Sequence, residues 1–141
     1  MYRIIYMGSS VKLLEENEID SLLKHSRRSN INNHITGVLL YIVGDFLQVI
    51  EGEEDVIISL FEKIKKDSRH KGIICLFSEN VKEKQFSDWS MGFHMTNYEK
   101  LIKDTGYDTL SRIELANIED KTASILLNTF IKSNKDSITF W

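Results

Sequence analysis

An α+β sandwich is the fold this sequence predicts, and three observations carry the prediction. Five short runs rich in branched and aromatic residues alternate with two amphipathic stretches in the order βαββαββ. The second and third runs are separated only by Val43-Gly44-Asp45, the spacing of an antiparallel hairpin. The length of 141 residues suffices for one core with a short appendage, not for two full domains. Two helices serving one sheet give a ferredoxin-like arrangement, with both helices on one face of a mixed five-stranded sheet.

Tyr2 to Met7 alternate within an apolar run and read as the first strand. Residues 15–28, EENEIDSLLKHSRR, read as a helix. Acidic residues open it and basic residues close it, which suits the helix dipole. Ile19, Leu22, Leu23 and Ser26 form its inner face. Asn32-Asn33 is turn chemistry, with Asn30 placed just past the helix. Ile35 to Ile42 and Phe46 to Glu51 are the hairpin strands. A second helix spans 54–66 on Ile57, Leu60, Phe61 and Ile64. Gly72 to Phe77 is the fourth strand and Trp89 to Met95 the fifth.

Beyond residue 97 the character changes. Tyr98 to Asp104 and Glu119 to Ile131 read as helices linked around Gly106. Ile125, Leu126 and Phe130 give the last one an apolar stripe, to be covered by the free face of the sheet or by another subunit. The expected organisation is a core over residues 1–96 and a C-terminal helical extension over 97–141 serving output or oligomerisation.

Lys and Arg number 18 against 21 Asp and Glu, a formal charge of −3, so the chain lacks the basic footprint of a nucleic-acid binder. No apolar run approaches the ~18 residues of a membrane span, and MYRIIYMGSS is too short for a secretory signal. Cys75 is the one cysteine, which excludes an internal disulfide and a cysteine zinc cluster. His25, His34 and His94 have no metal-site spacing. The expectation is a soluble cytoplasmic protein with no nucleic-acid or membrane partner.

One residue breaks the apolar pattern. In Phe46-Leu47-Gln48-Val49-Ile50, alternation puts Phe46, Gln48 and Ile50 on one strand face. Both faces are otherwise apolar, so Gln48 is expected to be buried and to need hydrogen-bond partners, since an unpaired buried amide costs about 1–3 kcal/mol. Tyr6, on the face shared by Tyr2 and Ile4, supplies one candidate and Asn30 another. Trp89 and Met91 share a face of the fifth strand and are placed to close the same pocket. Two readings stand at this point: a satisfied polar pair in an ordinary core, or a site for a planar heterocycle with carbonyl and imine edges.

Five segments tip the balance. They are Tyr2-Arg3-Ile4-Ile5-Tyr6; Ser26-Arg27-Arg28-Ser29-Asn30 with Ile35-Thr36-Gly37; Phe46-Leu47-Gln48-Val49-Ile50-Glu51-Gly52; Asp67-Ser68-Arg69-His70; and Trp89-Ser90-Met91. In this order and spacing the chain resembles the BLUF family, blue-light sensors that use FAD, from Tyr2 to about Met95. The resemblance implies that Tyr6 is the electron and proton donor to the photoexcited flavin. It makes Gln48 the switching amide beside flavin N5 and C4=O. Asn30 would bond the ring's polar edge, Arg69 the C2 carbonyl, and Asp67 and His70 would lie beside the ring and ribityl chain. Leu22, Ser26 and Ile64 would line the isoalloxazine, and Trp89 and Met91 would report the lit state. Arg28, with Arg27, either meets the FAD phosphates or caps the first helix.

The implied function is a photoreceptor that carries FAD, with FMN as an alternative, and makes no chemical product. Its output is a changed association with an unidentified downstream signalling protein, in a homo-oligomer. The competing readings are a light-insensitive interaction scaffold and a flavin enzyme. The enzyme reading lacks an activated nucleophile pair, a phosphate-binding glycine loop and a nicotinamide fingerprint. Two positions depart from the family's usual residues. Ser29 is smaller than is common beside Asn30, and Gly8 stands where a serine is common.

Overall fold

The computed structural model describes residues 1–42 and 44–85, and the backbone of 92–95. Within them the chain forms β1 (Tyr2–Ser10), α1 (Glu16–Asn32), β2 (Thr36–Ile42), β3 (Asp45–Gly52), α2 (Glu54–Lys66), β4 (His70–Asn80) and β5 (Gly92–Met95). The sheet order is β4-β1-β3-β2-β5. All neighbours are antiparallel except β5, which runs parallel to β2. This is the expected mixed five-stranded sheet. Trp89 and Met91, and both helices expected beyond residue 97, lie outside the described residues.

Both helices lay their apolar stripes on one face of the sheet. Ile19 and Leu23 of α1 and Ile57 and Phe61 of α2 are buried in one cluster with Ile4, Tyr6, Leu39, Tyr41, Phe46 and Ile50. Those strand residues alternate along β1, β2 and β3, as one pleated face requires. The opposite face is buried too, with Ile5, Val38, Leu40, Leu47 and Val49 no more than 1 % exposed. No helix among the described residues is long and apolar enough to cross a membrane.

The boundaries of α2 match the sequence reading, because Glu54 and Asp55 open it and Lys63, Lys65 and Lys66 close it. Those of α1 do not. It runs on to Asn32, so Asn30 lies inside its last turn rather than past its end. The stop is a Schellman motif without glycine. His34 takes the left-handed conformation at φ 56°. Its N–H donates to the Ile31 carbonyl at 3.3 Å, and the Ile35 N–H reaches the Asn30 carbonyl at 2.8 Å. With the C-terminus satisfied this way, the last turn holds no basic residue, and Arg28 is not the helix cap. Two strands, β1 and β4, also run longer than their apolar cores. β1 and β4 pair from Tyr2↔Asn80 to Ser10↔His70, so ladder hydrogen bonds carry polar ends that apolar content alone leaves out.

On the face away from the helices, Arg3 and Glu51 are cross-strand partners. Arg3 Nη2 lies 2.8 Å from Glu51 Oε2, and the two side chains are 1 % and 0 % exposed. Arg3 Nε donates to the same oxygen at 2.9 Å. Removing one partner of such a pair strands a buried charge, at a cost of about 3–5 kcal/mol. Glu51→Leu should therefore lower the urea midpoint by that equivalent, and adding Arg3→Met should restore most of it. A double variant no more stable than Glu51→Leu alone would contradict this reading.

Candidate functional site

The site grows from one rung of the β1/β3 ladder. Tyr6 and Gln48 are direct cross-strand partners, so both side chains leave the sheet on the helix side. The Tyr6 hydroxyl donates to Gln48 Oε1. With Oε1 turned to the phenol, Nε2 is the atom that the amide offers elsewhere. Tyr6 is 2 % exposed. Its ring lies 5.2 Å from that of Phe61 at an interplanar angle of 50°, and meets Phe46 edge-on at 6.0 Å. Burial in this aromatic pocket pushes the phenol far above its ordinary pKa, so Tyr6 stays protonated. The associated stability is intact below the ordinary phenol pKa of about 10 and declines as pH rises beyond it, where the unfolded chain ionises first.

Gln48 is half-buried, not buried as its apolar neighbours suggested. Leu22 and Ser26 of α1, Ile64 of α2, and Asp67 and His70 beyond α2 are likewise half-buried. Both helices thus bury one row of side chains on the sheet and leave an adjacent row partly open. Asn30 is buried at 5 % exposure, and its carbonyl is fixed by the Schellman motif. Arg28 and Arg69 are exposed.

The turn after α2 organises the other polar group. Asp67 accepts from the Arg69 backbone N–H at 2.9 Å and from its guanidinium Nε at 3.0 Å and Nη2 at 2.5 Å. The guanidinium hydrogen bonds hold the Asp67 carboxyl down at about 2. His70 bonds the Ile64 carbonyl through Nε2, and its ring meets Phe46 edge-on at 5.7 Å. His70 and Tyr6 therefore share Phe46 as a wall.

Gly8 is explained by the same wall. A Cβ there would stand 2.6 Å from Ile73 Cδ1 and 3.0 Å from Phe46 Cζ. A serine would displace the side chains that close the floor beside Tyr6.

The sequence reading did not pick out Phe46 and Phe61 as the residues enclosing Tyr6. Their signals were present: Phe46 shares the face of Gln48, and Phe61 lies on the inner face of its helix. It also passed over Arg3 and Glu51, each a lone charge inside an apolar strand.

A description of blue-light sensors using FAD, the BLUF family, matches residues 1–92 of the chain. The chain belongs to the BLUF family. BLUF relatives include subunit alpha of the photoactivated adenylate cyclase of Euglena gracilis, 29 % identical over 83 residues that make up 59 % of this chain and 8 % of that protein. The chain spans about a tenth or less of the length of the curated relatives it matches. Among solved structures, BlsA in its ground state is 30 % identical with a TM-score of 0.67, over 90 % of this chain and 85 % of that one. BlsA in its photo-activated state is 29 % identical with a TM-score of 0.65, over 94 % and 93 %. A bacterial light-regulated adenylyl cyclase is 29 % identical with a TM-score of 0.64, over 96 % of this chain and 35 % of its own. BLUF domains bind flavin and sense blue light.

The Asp67–Arg69 contact carries a pH signature. A lowered carboxylate pKa gives stability that is present above the ordinary aspartate range and lost as pH falls toward 2. NMR titration of the Asp67 carboxyl carbon should give a midpoint of about 2, moving up in Arg69→Ala. A midpoint near 4 in the unaltered chain would contradict the contact.

Proposed function

We propose that this chain is a blue-light photoreceptor in which Tyr6 and Gln48 form the photochemical switch, and that it signals by changing its association with a downstream protein. The observation that carries the reading is the Tyr6–Gln48 hydrogen bond, set in a largely apolar sheet face under two helices.

The donor set suits a flavin. Leu22 and Ile64 offer half-buried apolar surface for a planar ring, with Ser26 beside them. Gln48 and Asn30 are amides that donate and accept at once, matching a ring edge that alternates carbonyl and imine groups. Asp67, Arg69 and His70 would flank the ring and its side chain. Arg28, exposed and free of a capping role, would face the phosphates. FAD is the cofactor proposed, with FMN the alternative. When bound, the flavin supplies the blue absorption and the excited-state oxidant that takes an electron from Tyr6 and later returns it.

The chain's own residues do the rest. Losing an electron makes a phenol strongly acidic, and the Tyr6 proton has a prepared acceptor in Gln48 Oε1. Phe46 and Phe61 enclose the phenol, so that route is favoured over release to water. When the proton returns, the amide settles as before or in a second orientation or tautomer. The turned amide donates from Nε2 to the Tyr6 oxygen and presents Oε1 elsewhere. The two arrangements exchange one hydrogen bond for another of similar strength, about 0.5–1.5 kcal/mol, so a small bias selects between them. The proposed output runs from the 1–96 core through Trp89 and Met91 to the 97–141 extension, which would contact the partner or a second copy. The product is a shifted population, so the chain acts as a sensor and not as an enzyme.

Light-minus-dark absorption of the flavin-loaded protein tests the assignment. Tyr6→Phe should bind flavin and lose the light-induced red shift. Gln48→Leu should stay yellow and fail to form the shifted state. A normal photocycle in either variant overturns the role given to that residue. A purified wild-type chain that takes up no flavin would favour the scaffold.

A further inference from the structure

The switch has a polar counterpart on the other side of the same two strands. Tyr6↔Gln48 and Arg3↔Glu51 are rungs of one β1/β3 ladder, three residues apart, so they lie on opposite faces. Glu51 also faces Thr36 across the β2/β3 ladder, which makes Arg3, Glu51 and Thr36 three abreast.

Glu51 Oε2 does more than pair with Arg3. It accepts the backbone N–H of Gln85 at 3.0 Å. The neighbouring Lys84 Nζ donates to the His34 carbonyl at 2.7 Å, at the left-handed residue that ends α1. Residues 84 and 85 are thus pinned to the end of β3 and to the end of α1, the elements that carry Gln48 and Asn30. In sequence, Trp89 follows Gln85 by four positions. Beside this clasp the Thr36 hydroxyl is buried and has no hydrogen-bond partner. Directly opposed residues on one sheet face have Cβ atoms about 4.5–5.5 Å apart, within reach of a glutamate carboxylate.

We propose that Glu51 is the positioning residue that couples the Tyr6–Gln48 switch to the segment leading into Trp89. It would do so by exchanging one donor, the Gln85 N–H, for another, the Thr36 hydroxyl. The exchange rests on the photoreceptor reading above. The Arg3–Glu51 ion pair is kept in both states, and the Gln85 N–H is the partner given up. A small slide of β3 against β1 at the Gln48 rung is enough to favour one donor over the other. The unpartnered Thr36 hydroxyl accounts for the second state, since a buried hydroxyl without a bond is a standing cost that the lit arrangement removes.

Hydrogen–deuterium exchange of the flavin-loaded full chain, dark and under blue light, tests this with the absorption shift recorded on the same sample. Illumination should speed exchange at the Gln85 amide about tenfold, the loss of one hydrogen bond. Thr36→Val, which removes only the unpartnered hydroxyl, should fold at least as well, keep the red shift and lose the acceleration at Gln85. Thr36→Ser should restore it. Acceleration that persists in Thr36→Val overturns the donor exchange. A wild-type red shift with no change at Gln85 overturns the coupling. Absence of the red shift in the wild-type protein instead counts against the photoreceptor reading, so the two failures are distinct.

Discussion

A phenol and an amide face each other across two antiparallel strands, on a sheet face otherwise built from isoleucine, leucine and aromatic side chains. Most of what is unusual in the molecule follows from keeping that hydrogen bond intact and enclosed. The register of β1 against β3 makes Tyr6 and Gln48 partners, and a slip of one residue would turn Gln48 to the other face. Phe46 and Phe61 enclose the phenol, and Gly8 leaves room for Ile73 and Phe46 to close the floor. The phenol thereby stays neutral and has one prepared acceptor. A polar pair with one buried and one half-buried member costs little while satisfied and more when broken, which makes it suitable for a device with two satisfied arrangements.

The two faces of the sheet divide the work. On the helix side, α1 and α2 bury one row of side chains and leave Leu22, Ser26 and Ile64 half-buried. On the other side the ladder carries a buried Arg3–Glu51 pair, which grips the segment at Gln85. Strand pairing is stiff along its length, so a displacement at one rung is shared by rungs a few residues away. The proposed flavin edge and the proposed output segment would then communicate without touching. Coupling of this kind requires only that each end favour one of two packed arrangements by a few kcal/mol.

The sequence disclosed the fold where local chemistry and apolar pattern agree. The antiparallel hairpin of β2 and β3 and the acidic-to-basic gradient of α2 are such places; the hairpin pairs as expected, with Asp45 already in β3, and α2 stands where it was expected. It misled at the end of α1, because the left-handed stop is His34 and no glycine marks it. It shortened β1 and β4, whose ends are held by ladder hydrogen bonds between polar residues. At the site, the need of Gln48 for a partner named Tyr6 as one candidate, and the structure shows that hydrogen bond; alternation overstated the burial of Gln48, since it gives the face and not how well the helices cover it. Arg3 and Glu51 escaped notice for a related reason. A lone charge in a strand reads as solvent-facing until its partner on another strand is seen.

The central claim is that one amide between Tyr6 and a bound flavin has two bonding arrangements and that light selects between them. Its most direct test is the absorption spectrum of the purified, flavin-loaded chain in darkness, after blue illumination, and again after a dark interval. The account predicts a flavin spectrum that moves slightly to the red in light, without bleaching, and returns in the dark. A bound flavin whose spectrum is unmoved by light, or is permanently bleached, would contradict it.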